Sequence, residues 1–154
     1  MIKQNCTKII ISLLLLLTIG CSFTGDVTFT ATIDGKEFKA VVGFWDDDLV
    51  EGFGQIFTID RDGNTFTILI AGSIEEKTYS IGPIEQMAEC SVLYMDAAQG
   101  IAYASQSGTL TITSKTERLA GTFEMSLVGM GETGEEVILG VTDGIFDLPG
   151  SPLM

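Results

Sequence analysis

In the stretch VTFTATIDGKEFKA, residues 27–40, apolar residues recur at every second position and the run is broken once, by Asp34-Gly35. A chain with this period buries its apolar set as a strand, because successive side chains of an extended backbone point to opposite faces. Val27, Phe29, Ala31 and Ile33 fall on one face and three threonines on the other. Asp34-Gly35 supplies the positive φ of a tight hairpin turn. The returning segment EFKAVVGFW then places Phe38, Ala40, Val42 and Phe44 inward and Trp45 on the opposite face.

The same signature repeats along the chain. GQIFTI leads through the turn DRDGN to TFTILIA, with Phe66, Ile68 and Ile70 on one side. Further strands are expected at KTYSIG, SVLYM, IAYA, GTLTIT, LAGTFEMSL, EVILGV and GIFDL. Eighteen glycines against three prolines suit many tight turns. Short alternating runs at this spacing predict an all-β domain, an antiparallel β-sandwich or alternatively a flattened lipocalin-like β-barrel. Residues 82–98, GPIEQMAECSVLYMDAA, mix helix formers into the pattern and read as a longer connection with one helical turn, followed by a strand.

Ahead of the domain, Lys3 and Lys8 bracket a polar segment, and Ile9 to Ile19 is apolar except for Ser12 and Thr18. This is a secretory h-region in length and flanks, and it is shorter than the roughly 20 apolar residues that cross a bilayer. Leu17-Thr18-Ile19-Gly20-Cys21 resembles a bacterial lipobox, with threonine where leucine is commoner three places before the cysteine. That resemblance implies cleavage after Gly20, a diacylglycerol thioether on Cys21 and an acyl chain such as palmitate on the new amine. A second chain turns a reversible membrane contact into a stable anchor. The expected organisation is a signal peptide over 1–20, the lipidated cysteine and short tether over 21–26, and a single β domain over 27–154. The expected location is the bacterial cell envelope, by the general secretory route, with the outer membrane favoured.

FTATIDGKEFKA, SGTLTITS, LAGTFEMSL and the C-terminal TDGIFDL resemble an uncharacterised family of small bacterial lipoproteins, a domain of unknown function. The likeness runs from Phe29 to Leu148. It implies a fold and an address and brings no catalytic residues with it. GFWDDDLVEGFG, residues 43–54, departs from the family pattern and is the part most particular to this chain.

Charge narrows the partners. The formal net charge is −13, and cleavage would move it to −15, because Lys3 and Lys8 leave and no acid does. Anionic headgroups repel such a surface, and the acidity without a basic cluster argues against nucleic acid. Of three cysteines, Cys6 leaves with the signal and Cys21 is lipidated, so Cys90 is left without a disulfide partner and reads as a small buried hydrophobe.

Candidate sites are few. Asp46-Asp47-Asp48 with Glu51 reads as a solvated loop or a weak cation site, since three adjacent carboxylates cannot all face a core. Trp45, the single tryptophan, and Phe53 flank it. Exposed, they would form with Asp46, Asp47 and Asp48 a surface for gripping a sugar ring or a partner protein; the competing placement packs Trp45 under the acidic loop or a sheet edge. Asp60, Asp62 and Asn64 offer a calcium arrangement, but glycine sits at the fourth position where an EF-hand has it at the sixth, and a hairpin turn is favoured. Tyr79, Tyr94 and Tyr103 are expected on outer faces, with a cleft lining as the other option. With no histidine, the commonest general base and zinc ligand are missing, and among 21 acids no pair stands out by spacing. The sequence therefore predicts a non-catalytic, lipid-anchored envelope module that binds protein or glycan or serves structurally, without a cofactor beyond the covalent lipid. The alternative is a lipocalin-like carrier of an apolar small molecule or lipid.

Overall fold

The computed structural model describes residues 26–86 and 88–151, and of residues 48–50 the backbone alone. The leucine run, the lipobox and Cys21 lie outside the described residues. Within them the all-β expectation holds. Nine strands, β1 (Thr28–Ile33), β2 (Lys36–Val50), β3 (Phe53–Asp60), β4 (Thr65–Ala71), β5 (Thr78–Ile81), β6 (Cys90–Asp96), β7 (Ile101–Lys115), β8 (Arg118–Met130) and β9 (Glu136–Pro149), form one sheet. Its order is β1-β2-β3-β4-β6-β5-β7-β8-β9, and β9 pairs back with β1, so the sheet closes into a ring. This is the arrangement of a flattened barrel, or of a sandwich whose two faces run into one another. The expected helical turn is a 3₁₀ turn at Ile84–Gln86, ahead of β6. IAYA and GTLTIT fuse into the single long strand β7, as do EVILGV and GIFDL into β9.

The ring has two distinct ends. Hairpin turns at 34–35, 61–64, 97–100 and 131–135 share one end, here the hairpin end. Asp26 and Ser151 lie at the other, the terminal end, with the β2–β3 and β7–β8 turns and the segments that flank β5. Asp34 (φ 47°) and Gly35 (φ 79°) both take positive φ, as the primed hairpin turn requires.

The interior is filled by aromatic rings. Phe29 lies 4.9 Å from Phe123 and 5.5 Å from Phe66, while Phe66 lies 4.9 Å from Phe38 and 4.8 Å from Tyr94 (ring centroids). Ile56, Ile68, Ile70, Leu110, Leu119 and Leu127 extend this core along the axis. An apolar carrier ligand would have to displace these side chains. β5 is short and meets β6 at one parallel pair, Ile81–Cys90, which opens a gap in the ladder between β6 and β7. The buried Ser105 hydroxyl fills it, accepting from the Val92 N–H at 2.9 Å and donating to the Gly82 carbonyl at 2.7 Å. A buried backbone donor left open there would cost about 1–3 kcal/mol.

A bulge in β2 decides which side chains face the core. Ala40 pairs with Asp60 and Val42 with Ile59, so Val41 is an extra residue on β2. Phe38 and Ala40 point inward before it. After it the phase is inverted: Trp45 belongs to the inner cluster, whereas Phe44 stacks on Phe57 (5.5 Å) outside that cluster. The predicted orientation of Phe44 and Trp45 is therefore reversed, because one inserted residue exchanges the two faces of everything that follows.

Candidate functional site

Residues 43–54 are strand and not loop over most of their length. The backbone of β2 continues in extended form to Val50 and turns at Glu51-Gly52. Trp45 is 5% exposed, which corrects its placement as an accessible ring and supports the packed alternative. Asp46 is buried as well, and Phe53 is 40% exposed beside the β2–β3 turn. Asp48 lies in β2, with its side chain outside the described residues. Trp45, Asp46, Asp47 and Phe53 therefore do not share one surface, and alternation along the strand is the reason.

What the segment builds instead is a closure of the terminal end. Asp47 follows Trp45 on the same side of β2. Its Oδ1 accepts the Ile74 N–H at 2.8 Å and its Oδ2 pairs with Lys115 Nζ. Lys115 donates in turn to the Ile74 carbonyl at 2.7 Å, and its ammonium stands 5.5 Å from the centre of the Trp45 ring. The segment between β4 and β5 is thereby drawn across the ring mouth, with the Ile74 side chain fully buried. Gly54 makes room for it: a Cβ there would come within 3.1 Å of Ile74 Cδ1. The Glu76 carboxylate accepts the Lys115 N–H at 2.8 Å and adds a second tie. Trp45 Nε1 and Thr58 Oγ1 are buried without a hydrogen-bond partner in this part of the interior. Neither Ile74 nor Lys115 carried any signal in the sequence, since their role comes from contacts 27 and 68 positions from Asp47.

At the hairpin end, the Asp60 turn directs its oxygens into the turn itself. Oδ1 accepts the N–H groups of Asp62 and Asn64, each at 2.9 Å, and Oδ2 accepts Asn64 Nδ2 at 2.8 Å. Asn64 Oδ1 accepts the Ala97 N–H, which ties this turn to the next. The geometry is an Asx turn that engages the lone pairs a cation would need. Among the described residues no group of three or more His, Cys, Asp or Glu is arranged to hold a metal ion. A shallow cleft of about 320 Å³ beside the turn is lined by Glu37, Lys39, Val41, Asp60, Arg61 and Asp62, with charges of both signs.

The three tyrosines face inward rather than outward, each at most 6% exposed. Burial, with Asp96, Asp60 and Tyr103 nearby, pushes the Tyr94 phenol up to about 12. Tyr103 is raised by burial, with smaller contributions from Asp96 and Asp34. Tyr79 Oη accepts the Glu75 N–H at 2.7 Å and serves the mouth closure. Cys90 is completely buried, and burial followed by the Glu89 charge pushes its thiol up to about 12, so it is a protonated core residue at neutral pH.

No protein-family model, curated protein or solved structure matches this chain. Among the described residues no helix is long and apolar enough to cross a membrane.

Proposed function

We propose that the chain is a lipid-anchored protein of the bacterial cell envelope, exported by the general secretory route and held, by preference in the outer membrane, through acyl chains on Cys21. On this reading it works without catalysis, as a binding or structural module for an envelope protein or glycan. The observation that carries it is the eleven-residue apolar run ending at Gly20-Cys21, seven positions before β1 begins at Thr28. The likeness to small bacterial lipoproteins supports the same reading.

The test is metabolic labelling with palmitate together with intact-mass analysis. The protein is expected to carry label, to begin at Cys21 and to partition with membranes. Cys21→Ser is expected to remain unlabelled. A parent polypeptide that starts at Met1 and carries no acyl chain overturns the proposal.

A further inference from the structure

The outer surface of β7, β8 and β9 changes character along the strands. Toward the terminal end a row of threonines crosses four strands: Thr30 on β1 pairs with Ile145 on β9, Ile145 with Thr122 on β8, and Thr122 with Thr111 on β7, with Thr28 and Thr32 beside Thr30. Nearer the hairpin end, β7, β8 and β9 present apolar side chains instead, in continuity with β6. Leu93 lies opposite Ala104, Ala104 opposite Val128, and Val128 opposite Ile138, which forms one row across β6, β7, β8 and β9. Met95 and Met130 continue this surface toward the hairpin end. Exposure reaches 38% at Leu93, 54% at Ile138 and 61% at Met130. A contiguous exposed apolar surface of this kind on a folded domain marks a contact site.

Two observations select the occupant. The first is charge: Asp96 follows Met95 directly, Glu132 and Glu135 sit on the turn after Met130, and Glu136 opens β9 opposite Met130. Arg61, on the adjoining β3–β4 turn, is outnumbered. A second copy would bring acid against acid, and an anionic bilayer would be repelled. The second is position. The chain enters the ring at Asp26, whose carbonyl accepts Arg118 Nη2 at 2.7 Å at the terminal end. Met130 is twelve residues further along β8, about 40 Å at 3.3 Å per residue. From Cys21 to Asp26 the chain spans at most about 17 Å. On β8 and β9 the apolar row, with Val128, Met130 and Ile138, therefore lies toward the end of the ring remote from the attachment point. Closure of the ring leaves no strand edge to extend among the described residues, so strand addition is not open to a partner and a side-chain face is.

We propose that this apolar surface is the docking site for a second protein whose contact face is apolar and rimmed by Lys and Arg. The inference rests on the envelope reading only for where that partner is met.

The test places a photo-crosslinking residue at Ile138 or Leu93, and in parallel at Thr30 or Thr122, in the full acylated protein in its native cells. The cross-linked species is identified and the pair is rebuilt from purified components. Positions 138 and 93 are expected to capture the same protein through a peptide flanked by Lys or Arg, while 30 and 122 do not. Ile138→Lys and, separately, Glu132→Lys with Glu136→Lys are each expected to weaken the purified pair at least tenfold with the thermal midpoint unchanged. Both sets of substitutions are at exposed positions. Equal capture from both rows, no capture, or capture of this chain alone overturns the proposal. So does sedimentation of the acyl-free domain with phosphatidylcholine or phosphatidylglycerol vesicles that Ile138→Lys abolishes. Palmitate labelling is scored on the same cells. Absent label with capture intact sinks the anchor and leaves the docking site, and label without capture does the reverse.

Discussion

Replacing Asp47 by alanine, and Lys115 by methionine, tests whether the terminal end of the ring is held shut by side-chain chemistry. Asp47→Ala removes the acceptor of the Ile74 N–H and leaves the Lys115 ammonium without its carboxylate. A hydrogen bond to a charged group contributes about 1.5–3 kcal/mol. Breaking a fully buried ion pair costs about 3–5 kcal/mol, and an exposed pair contributes about 0–1 kcal/mol. The two side chains here are 30% and 25% exposed, between those limits. The expected loss is about 2–3 kcal/mol, which for a domain of this size lowers the thermal midpoint by about 8–12 °C. Lys115→Met should fall in the same range. The double variant should lose about 1–2 kcal/mol less than the sum, because one interaction is removed twice in the single variants.

Two local assays separate this closure from general destabilisation. Trp45 is the single tryptophan and stacks beneath Lys115, so its emission should move to the red as the mouth opens. The Ile74 amide, protected by Asp47, should exchange faster with deuterium in both variants while the amides of β8 and β9 keep their protection. The reasoning is refuted if both single variants stay within about 0.5 kcal/mol of the parent, with Ile74 exchange and Trp45 emission unchanged.

Asp60→Ala should cost about 1–2 kcal/mol, since it frees the Asp62 and Asn64 N–H groups, and millimolar calcium should leave the parent's thermal midpoint unchanged; a rise with calcium would restore a cation role for this turn. Gly121→Ala would put its Cβ about 2.6 Å from Phe146 Cζ and against the Thr111 carbonyl, so a loss of more than about 2 kcal/mol is expected, whereas Gly140→Ala meets nothing closer than 3.9 Å and should be neutral or slightly stabilising in urea melts. The Cys90 thiol should resist a water-soluble disulfide reagent at pH 8. Its folded pKa of about 12 lies above the ordinary 9, so the folded state holds the proton more tightly. That stability is complete below pH 9 and is lost between pH 9 and 12, at roughly 1.4 kcal/mol per pH unit. Cys90→Ala should flatten this slope in urea melts at pH 8.5 and 10.5, and equal slopes would refute it.

The local half of this protein was written in the order of its residues. Alternation placed Phe29, Ala31, Ile33, Phe66, Ile68 and Ile70 in the core, and Asp34-Gly35 marked its turn, because side-chain direction along a strand and positive φ are properties of a few adjacent residues. Three features belonged to the tertiary structure alone. The bulge at Val41 exchanged the faces of Phe44 and Trp45, since a period of two loses its phase at any extra residue and nothing in EFKAVVGFW marks where that residue sits. Asp47 became a tie rather than part of a binding loop because Ile74 and Lys115 reach it from other strands. The order in which β4, β6, β5 and β7 lie side by side was likewise decided by packing across the whole ring, which also gathered Leu93, Val128 and Ile138 into one outward row. Pairing between distant strands depends on burial summed over the closed sheet, and no single segment carries that sum.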